Sequence, residues 1–256
     1  MNRGSIMMPR PARPASSRAP PSLTATTYRA ATSKDSAPRR YDAAMNLIYI
    51  ADPMCSWCYG FGKEMTTLVE RYPDISLEIV VGGLRAGATD VLDESGKRFR
   101  LEHWARVEQS SGLPFNREGL MAREGFVYDT EPACRSVVAA RILAPTTNLL
   151  KVFRAFQHAF YVDAVDTTNG EVLADVGAAA LSANGHSIAP AELLATWQQK
   201  DAIDATAADF AMARSMGVTS FPALFLERHG QRRRVASGYA TFHQIEQNMN
   251  ALLATT

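Results

Sequence analysis

Long apolar runs, cysteines and an excess of either charge are all scarce in this 256-residue chain. No window approaches the roughly 20 consecutive apolar residues that a bilayer-spanning helix needs, which excludes a transmembrane helix. Three cysteines are too few for a disulfide scaffold; one close pair plus one distant thiol fits a redox or metal site better. The five histidines (His103, His158, His186, His229, His243) include no pair three to five residues apart, and no second cysteine pair exists. Structural zinc usually takes four ligands in paired spacing, so zinc is disfavoured. Net charge is only +1, and it is unevenly spread: residues 1–44 carry eight Lys/Arg and two Asp, residues 45–256 carry 19 basic and 24 acidic side chains. A mildly acidic body gives no reason to expect nucleic-acid binding. Repeats of fixed period are missing too, which argues against a solenoid.

What is present divides the chain. Residues 1–44 are rich in Pro, Ser, Ala, Thr and Arg with almost no large apolar side chains. Such a stretch buries too little surface to offset its ordering entropy and is expected to be a disordered extension. It holds no apolar core of a secretory signal. Its Arg- and Ser-rich character imitates an organelle transit peptide, and the simpler alternative is a true start at Met45.

From Asn46 to Ala51 the chain reads as an apolar strand, followed by a turn at Asp52-Pro53 and a helix whose first turn carries Cys55-Ser56-Trp57-Cys58. Phe61, Met65, Leu68 and Tyr72 then recur at the spacing of one buried helix face. Ile75, Leu77, Ile79 and Val81 alternate as a half-buried strand ending at Gly82-Gly83. This β-α-β order requires a parallel pair. From Lys97 to Met216 the pattern is helical, with stripes at Leu149/Phe153/Phe156/Phe160, at Val172/Val176/Ala180 beside Leu173 and Leu181, and at Cys134/Val137/Val138/Ile142 after a start at Thr130-Glu131-Pro132. Strand character returns over Val218–Leu226 and Arg232–Val235. Thr241 and Gln244 then form a capping box for a last helix. The expected organisation is an α/β domain, residues 45–96 and 217–256, interrupted by an all-helical insertion over 97–216.

Two cysteines three apart at a helix start are placed for redox chemistry. The helix N-terminus offers unpaired N–H groups and about half a positive charge, which favour a thiolate. Cys55, read as an exposed first sulfur, is the expected nucleophile, with Cys58 behind it to resolve a mixed disulfide. Half of a zinc site and a merely structural pair are the competing readings. Asp52 could accept the proton of Cys58; a turn or helix-capping role before proline is the simpler reading. Trp57 reads as part of a substrate-facing rim, with a half-exposed core side chain as the alternative. Cys134, on an apolar stripe, reads by default as an inert packed thiol, with a third redox sulfur as the sharper alternative. Pro222 conflicts with a central strand. An edge strand or a bulge would resolve the conflict, and so would a cis Phe221-Pro222 bond. The order of elements sets this strand beside the first one and would bring Pro222 near Cys55, with the backbone of Ser220 and Phe221 free to pair with substrate.

With these residues in hand, the stretches Asp52-Pro53-Met54-Cys55-Ser56-Trp57-Cys58-Tyr59-Gly60-Phe61 and Gly217-Val218-Thr219-Ser220-Phe221-Pro222-Ala223 resemble the DsbA-like branch of the thioredoxin superfamily. Thr130-Glu131-Pro132-Ala133-Cys134-Arg135 is similar to the protein-disulfide-isomerase group within it. The resemblance covers about residues 45–256. It implies a thioredoxin fold with a helical insert and thiol–disulfide oxidoreductase or isomerase activity. Cys55 would attack, Cys58 resolve, and Ser56, Trp57, Phe221 and Pro222 contact substrate. It implies no bound cofactor beyond the redox-active disulfide, with glutathione as a candidate reductant. The partners would be protein or small-molecule thiols and disulfides, with no nucleic acid, membrane or metal, in the cytoplasm. The Ser56-Trp57 dipeptide differs from the Pro-His of the periplasmic oxidant. Relatives of kappa-class glutathione transferase and hydroxychromene carboxylate isomerase form a rival reading, and a non-catalytic adaptor another. Both cysteines together favour exchange chemistry.

Overall fold

β1 (Met45–Ala51) is buried along almost its whole length, with Leu47, Ile48, Tyr49, Ile50 and Ala51 at most 1% exposed. A strand apolar on both faces belongs in the middle of a covered sheet. The computed structural model, which describes residues 45–254, places it there. The disordered extension expected over 1–44 lies outside the described residues. β1 pairs in parallel with β2 (Ser76–Val81), the crossover being α1 (Ser56–Arg71), and antiparallel with β3 (Ala223–Arg228). β3 pairs antiparallel with β4 (Gln231–Ser237), giving the order β2-β1-β3-β4. β4 is an edge strand, and its consecutive exposed arginines Arg232, Arg233 and Arg234 discourage pairing with another sheet.

Between β2 and β3 run α2 (Glu94–Ser111), α3 (Arg117–Met121), α4 (Glu131–Leu143), α5 (Leu149–Tyr161), α6 (Gly170–Ala183), α7 (Pro190–Gln198) and α8 (Lys200–Ser215), with α9 (Phe242–Ala254) after β4. The helical run expected over 97–216 thus begins at Glu94 and ends at Ser215. Helix starts follow local chemistry: the side chains of Asp93, Asn116, Asn148 and Asn169 accept N–H groups of the first turns they cap. Thr241 and Gln244 form the expected capping box, each side chain accepting the other's backbone N–H. No helix among the described residues is long and apolar enough to cross a membrane.

On one face of the sheet Phe61, Met65 and Leu68 of α1 are fully buried. Each such side chain contributes about 1.5–3 kcal/mol. Tyr49 of β1 meets Phe61 and Phe153 of α5 at ring separations of 5.7 and 5.9 Å, so the helical segment shares this core. The other face, Ile48, Ile50, Val80 and Phe225, packs on Ala213 and Val218. The outer edge of β2 is closed by two side chains. Arg141 of α4 donates to the Ile79 carbonyl at 2.9 Å and holds Asp209 of α8 in a two-pronged pair at 3.0 Å; Asp209 accepts the Val81 N–H at 3.1 Å.

Three local expectations are corrected. β3 starts at Ala223 rather than Val218: Pro222 has no N–H to give a ladder, so it stands just before the strand. In α6 the expected Leu173, Ala180 and Leu181 are buried, but Ala174, Gly177 and Ala178 join them in place of Val172 and Val176, which are only half-buried, because Gly177 lets Phe156 and Leu193 approach that face. Ile142 ends its stripe in solvent, 44% exposed.

Candidate active site

The turn out of β1 sets the first sulfur. Asp52 Oδ1 accepts the Met54 N–H at 2.8 Å, and its carbonyl accepts the Cys55 N–H at 3.0 Å, folding the chain back before α1 begins at Ser56. Cys55 is the N-cap residue, extended at φ −89° and ψ 119°, and no side chain caps the helix. Asp52 is therefore a turn residue and not the helix cap. The expectation of an exposed first sulfur is also corrected: Cys55 is 6% exposed, though Cys58 is more deeply buried at 0%. Tyr128, from the segment before α4, bends over this end and donates from its hydroxyl to the Met54 carbonyl at 2.5 Å.

All three cysteines are free thiols. The Cys55 Sγ donates to the Phe221 carbonyl at 3.7 Å, and the Phe221-Pro222 peptide bond is cis, as expected. Pro222 is buried and Phe221 half-buried. The Phe221 ring lies over Gly82, where any Cβ would meet Cε1 of that ring at 2.1 Å. Trp57 is half-buried against Tyr239, their rings 6.0 Å apart, and Tyr239 donates to the Ser110 carbonyl at 2.9 Å. Ser56, beside it, is also partly accessible. Cys58 Sγ accepts the Asp52 N–H at 3.5 Å, and burial, followed by its hydrogen bond to Cys55, pushes its thiol well above the ordinary value.

Behind the sulfurs, Asp52 is fully buried. Burial pushes its carboxyl up, against the opposing hydrogen bonds of the Thr130 hydroxyl, the Leu84 and Met54 N–H groups and the Cys134 thiol. The Leu84 N–H reaches Oδ2 at 2.6 Å and the Cys134 Sγ at 3.6 Å. Thr130 also accepts the Arg85 N–H at 3.1 Å, which ties α4 to the loop after β2.

The fold thus brings Asp52, Cys55, Ser56, Trp57, Cys58, Phe221 and Pro222 into one region. Sequence reasoning missed the Leu84 amide and Tyr128, which have no local signature, and it left Cys134 with no link to Asp52. A cavity of about 830 Å³ along β2 and the 144–151 loop contains none of the cysteines and has no connection with this chemistry.

Neither the scan against protein-family models nor the search of curated proteins returns a match. Solved structures do. A candidate protein disulfide isomerase from Nitrosomonas europaea is 32% identical, with a TM-score of 0.73, covering 82% of this chain and 98% of its own. The cytosolic disulfide reductase DsbM from Pseudomonas aeruginosa aligns over 82% of this chain and all of its own, at 23% identity and a TM-score of 0.67. A 2-hydroxychromene-2-carboxylate isomerase, at 12% identity and a TM-score of 0.59, shares the fold. Identity of 32% across nearly the whole of the Nitrosomonas protein, joined to a thioredoxin-like sheet with its helical segment, means that this chain belongs to the DsbA-like family of thiol–disulfide oxidoreductases.

Proposed function

We propose that Cys55 and Cys58 are the redox pair of this oxidoreductase and that it acts in the cytoplasm as a disulfide reductase and isomerase, re-reduced by glutathione. The observation that carries the reading is the placement of Cys55 at the N-cap of α1, with the deeper Cys58 one turn behind and the Phe221 carbonyl 3.7 Å from the leading sulfur. The Pseudomonas reductase, whose structure has also been determined with GSH, supports the choice of reductant.

In the first step the Cys55 thiolate attacks a substrate disulfide R–S–S–R′. A Cys55–S–S–R bond forms, and R′–S⁻ leaves and takes a proton. In the second, Cys58 gives its proton to the Asp52 carboxylate and attacks the Cys55 sulfur. The Cys55–Cys58 disulfide forms, and R–S⁻ leaves. Two glutathione thiols then return the pair to the dithiol, becoming glutathione disulfide. In isomerisation another thiol of the substrate attacks the mixed disulfide instead, and Cys55 is released without net electron transfer. The half-buried rings of Trp57, Phe221 and Tyr239 offer apolar contact to a peptide beside the sulfur.

Reduction of insulin by glutathione and refolding of a scrambled disulfide protein separate the two activities. Cys55→Ser is expected to abolish both. Appreciable activity of that variant in either assay refutes the assignment of the nucleophile.

A further inference from the structure

Cys134 is a fully buried thiol of α4, and its sulfur lies 3.6 Å from Oδ2 of Asp52, the oxygen that also receives the Leu84 N–H at 2.6 Å. A carboxylate oxygen only accepts, so between these two groups the thiol is the donor. The Gly83 N–H in turn bonds the Cys134 sulfur. The thiol therefore sits in a chain that runs from the loop after β2, through α4, to the carboxylate behind Cys58. Its own backbone is fixed: the Cys134 N–H reaches the Thr130 carbonyl at 3.1 Å in the first turn of α4. Burial and the nearby Asp52 charge raise the thiol well above its ordinary value, so it stays protonated and able to donate.

We propose that Cys134 is a positioning residue for the resolving step: its S–H, given to Oδ2, helps hold the Asp52 carboxylate ionised and in place to take the Cys58 proton. This rests on the reading of Asp52 as proton acceptor. In the step the Cys58 S–H bond breaks to form the Asp52 carboxylic acid. The Cys58 sulfur bonds to Cys55, and the Cys55–S–R bond breaks with its electron pair on the departing thiolate. Cys134 is neither oxidised nor reduced.

Other ionisable groups face this site. Cys55 and Cys58 stand at the start of α1. Tyr128 and Tyr161, both buried, are held protonated chiefly by desolvation. Glu131 on α4 is paired with Arg135 at 3.0 Å, and Arg85 on the loop after β2 with Asp90 at 2.8 Å.

The test is single-turnover reaction of the reduced protein with excess glutathione disulfide, following the first glutathione released and, separately, closure of the Cys55–Cys58 disulfide across pH. Removing a donor to the ionised carboxylate favours its protonated form, which displaces the acid limb of closure upward. For Cys134→Ala a displacement of roughly half to one pH unit is expected, about three- to tenfold slower closure on that limb, with the first release at the wild-type rate. Cys134→Ser, which keeps an O–H donor, is expected to return the limb toward its wild-type position. A Cys134→Ala profile that overlies the wild type overturns the inference, as does a Cys134→Ser displacement equal to that of alanine, which would mark a packing effect. Asp52→Asn distinguishes the two levels. If its acid limb persists, the Asp52 reading fails and this inference with it; if the limb vanishes while Cys134→Ala overlies the wild type, only the role of Cys134 fails.

Discussion

Asp209→Ala tests how the edge of the sheet is closed. Asp209 is 9% exposed, and its carboxylate takes both guanidinium nitrogens of Arg141 at 3.0 Å and the Val81 N–H at 3.1 Å. Alanine removes all three acceptor contacts. The stranded Val81 N–H costs about 1–3 kcal/mol if left without a partner. Breaking a fully buried ion pair costs about 3–5 kcal/mol, but the Arg141 side chain is 31% exposed and partly rehydrates, so only a fraction of that applies. A net loss of about 3 kcal/mol follows, which for a folded unit of this size lowers Tm by about 6–12 °C. Thermal and urea unfolding of the purified protein measure it. The double variant Asp209→Ala/Arg141→Met should be less unstable than the two single losses added together, because the second change removes the stranded charge. A Tm drop below about 2 °C for the single variant, or strict additivity in the cycle, refutes the account of this edge.

Three further outcomes are expected. Cys58→Ser should accumulate mixed disulfides on Cys55, since the intermediate loses its intramolecular exit; non-reducing gels without adducts contradict the resolving role. Gly82→Ala puts a Cβ 2.1 Å from the Phe221 ring, so the half-buried ring must move and disturb the carbonyl beside Cys55. Peptide-disulfide exchange is expected to fall severalfold at a stability cost of about 1–3 kcal/mol, and unchanged exchange kinetics would show that the ring is not part of the site. For Asp52, burial raises the folded-state carboxyl above its unfolded value. The folded state then holds the extra proton, so the contribution to stability is complete below the ordinary carboxylate range and is lost as pH rises through the raised value. Asp52→Asn should flatten that part of the stability–pH curve; denaturant titrations giving the wild-type slope contradict it.

Periodicity and local chemistry made much of this protein legible in the sequence. The apolar run Asn46–Ala51, the face Phe61/Met65/Leu68 and the Thr241–Gln244 box are each set by residues a few positions apart, and each forms where expected. The placement of the close cysteine pair was legible for the same reason: both cysteines lie within one turn of a helix start. Boundaries that depend on distant partners were not legible. The face α6 buries is chosen by Phe156 and Leu193 arriving at Gly177, which a count along one helix does not contain. Asp52 showed the same limit. Its neighbours in sequence make it a turn residue, and it is one. Its burial, its contact with Cys134 82 positions away and its bond from the Leu84 amide arise only when β1, the loop after β2 and α4 converge. Tertiary structure alone decided that this carboxylate is desolvated, because the cost of burying a charge is set by what surrounds it in space and not by what flanks it in the chain.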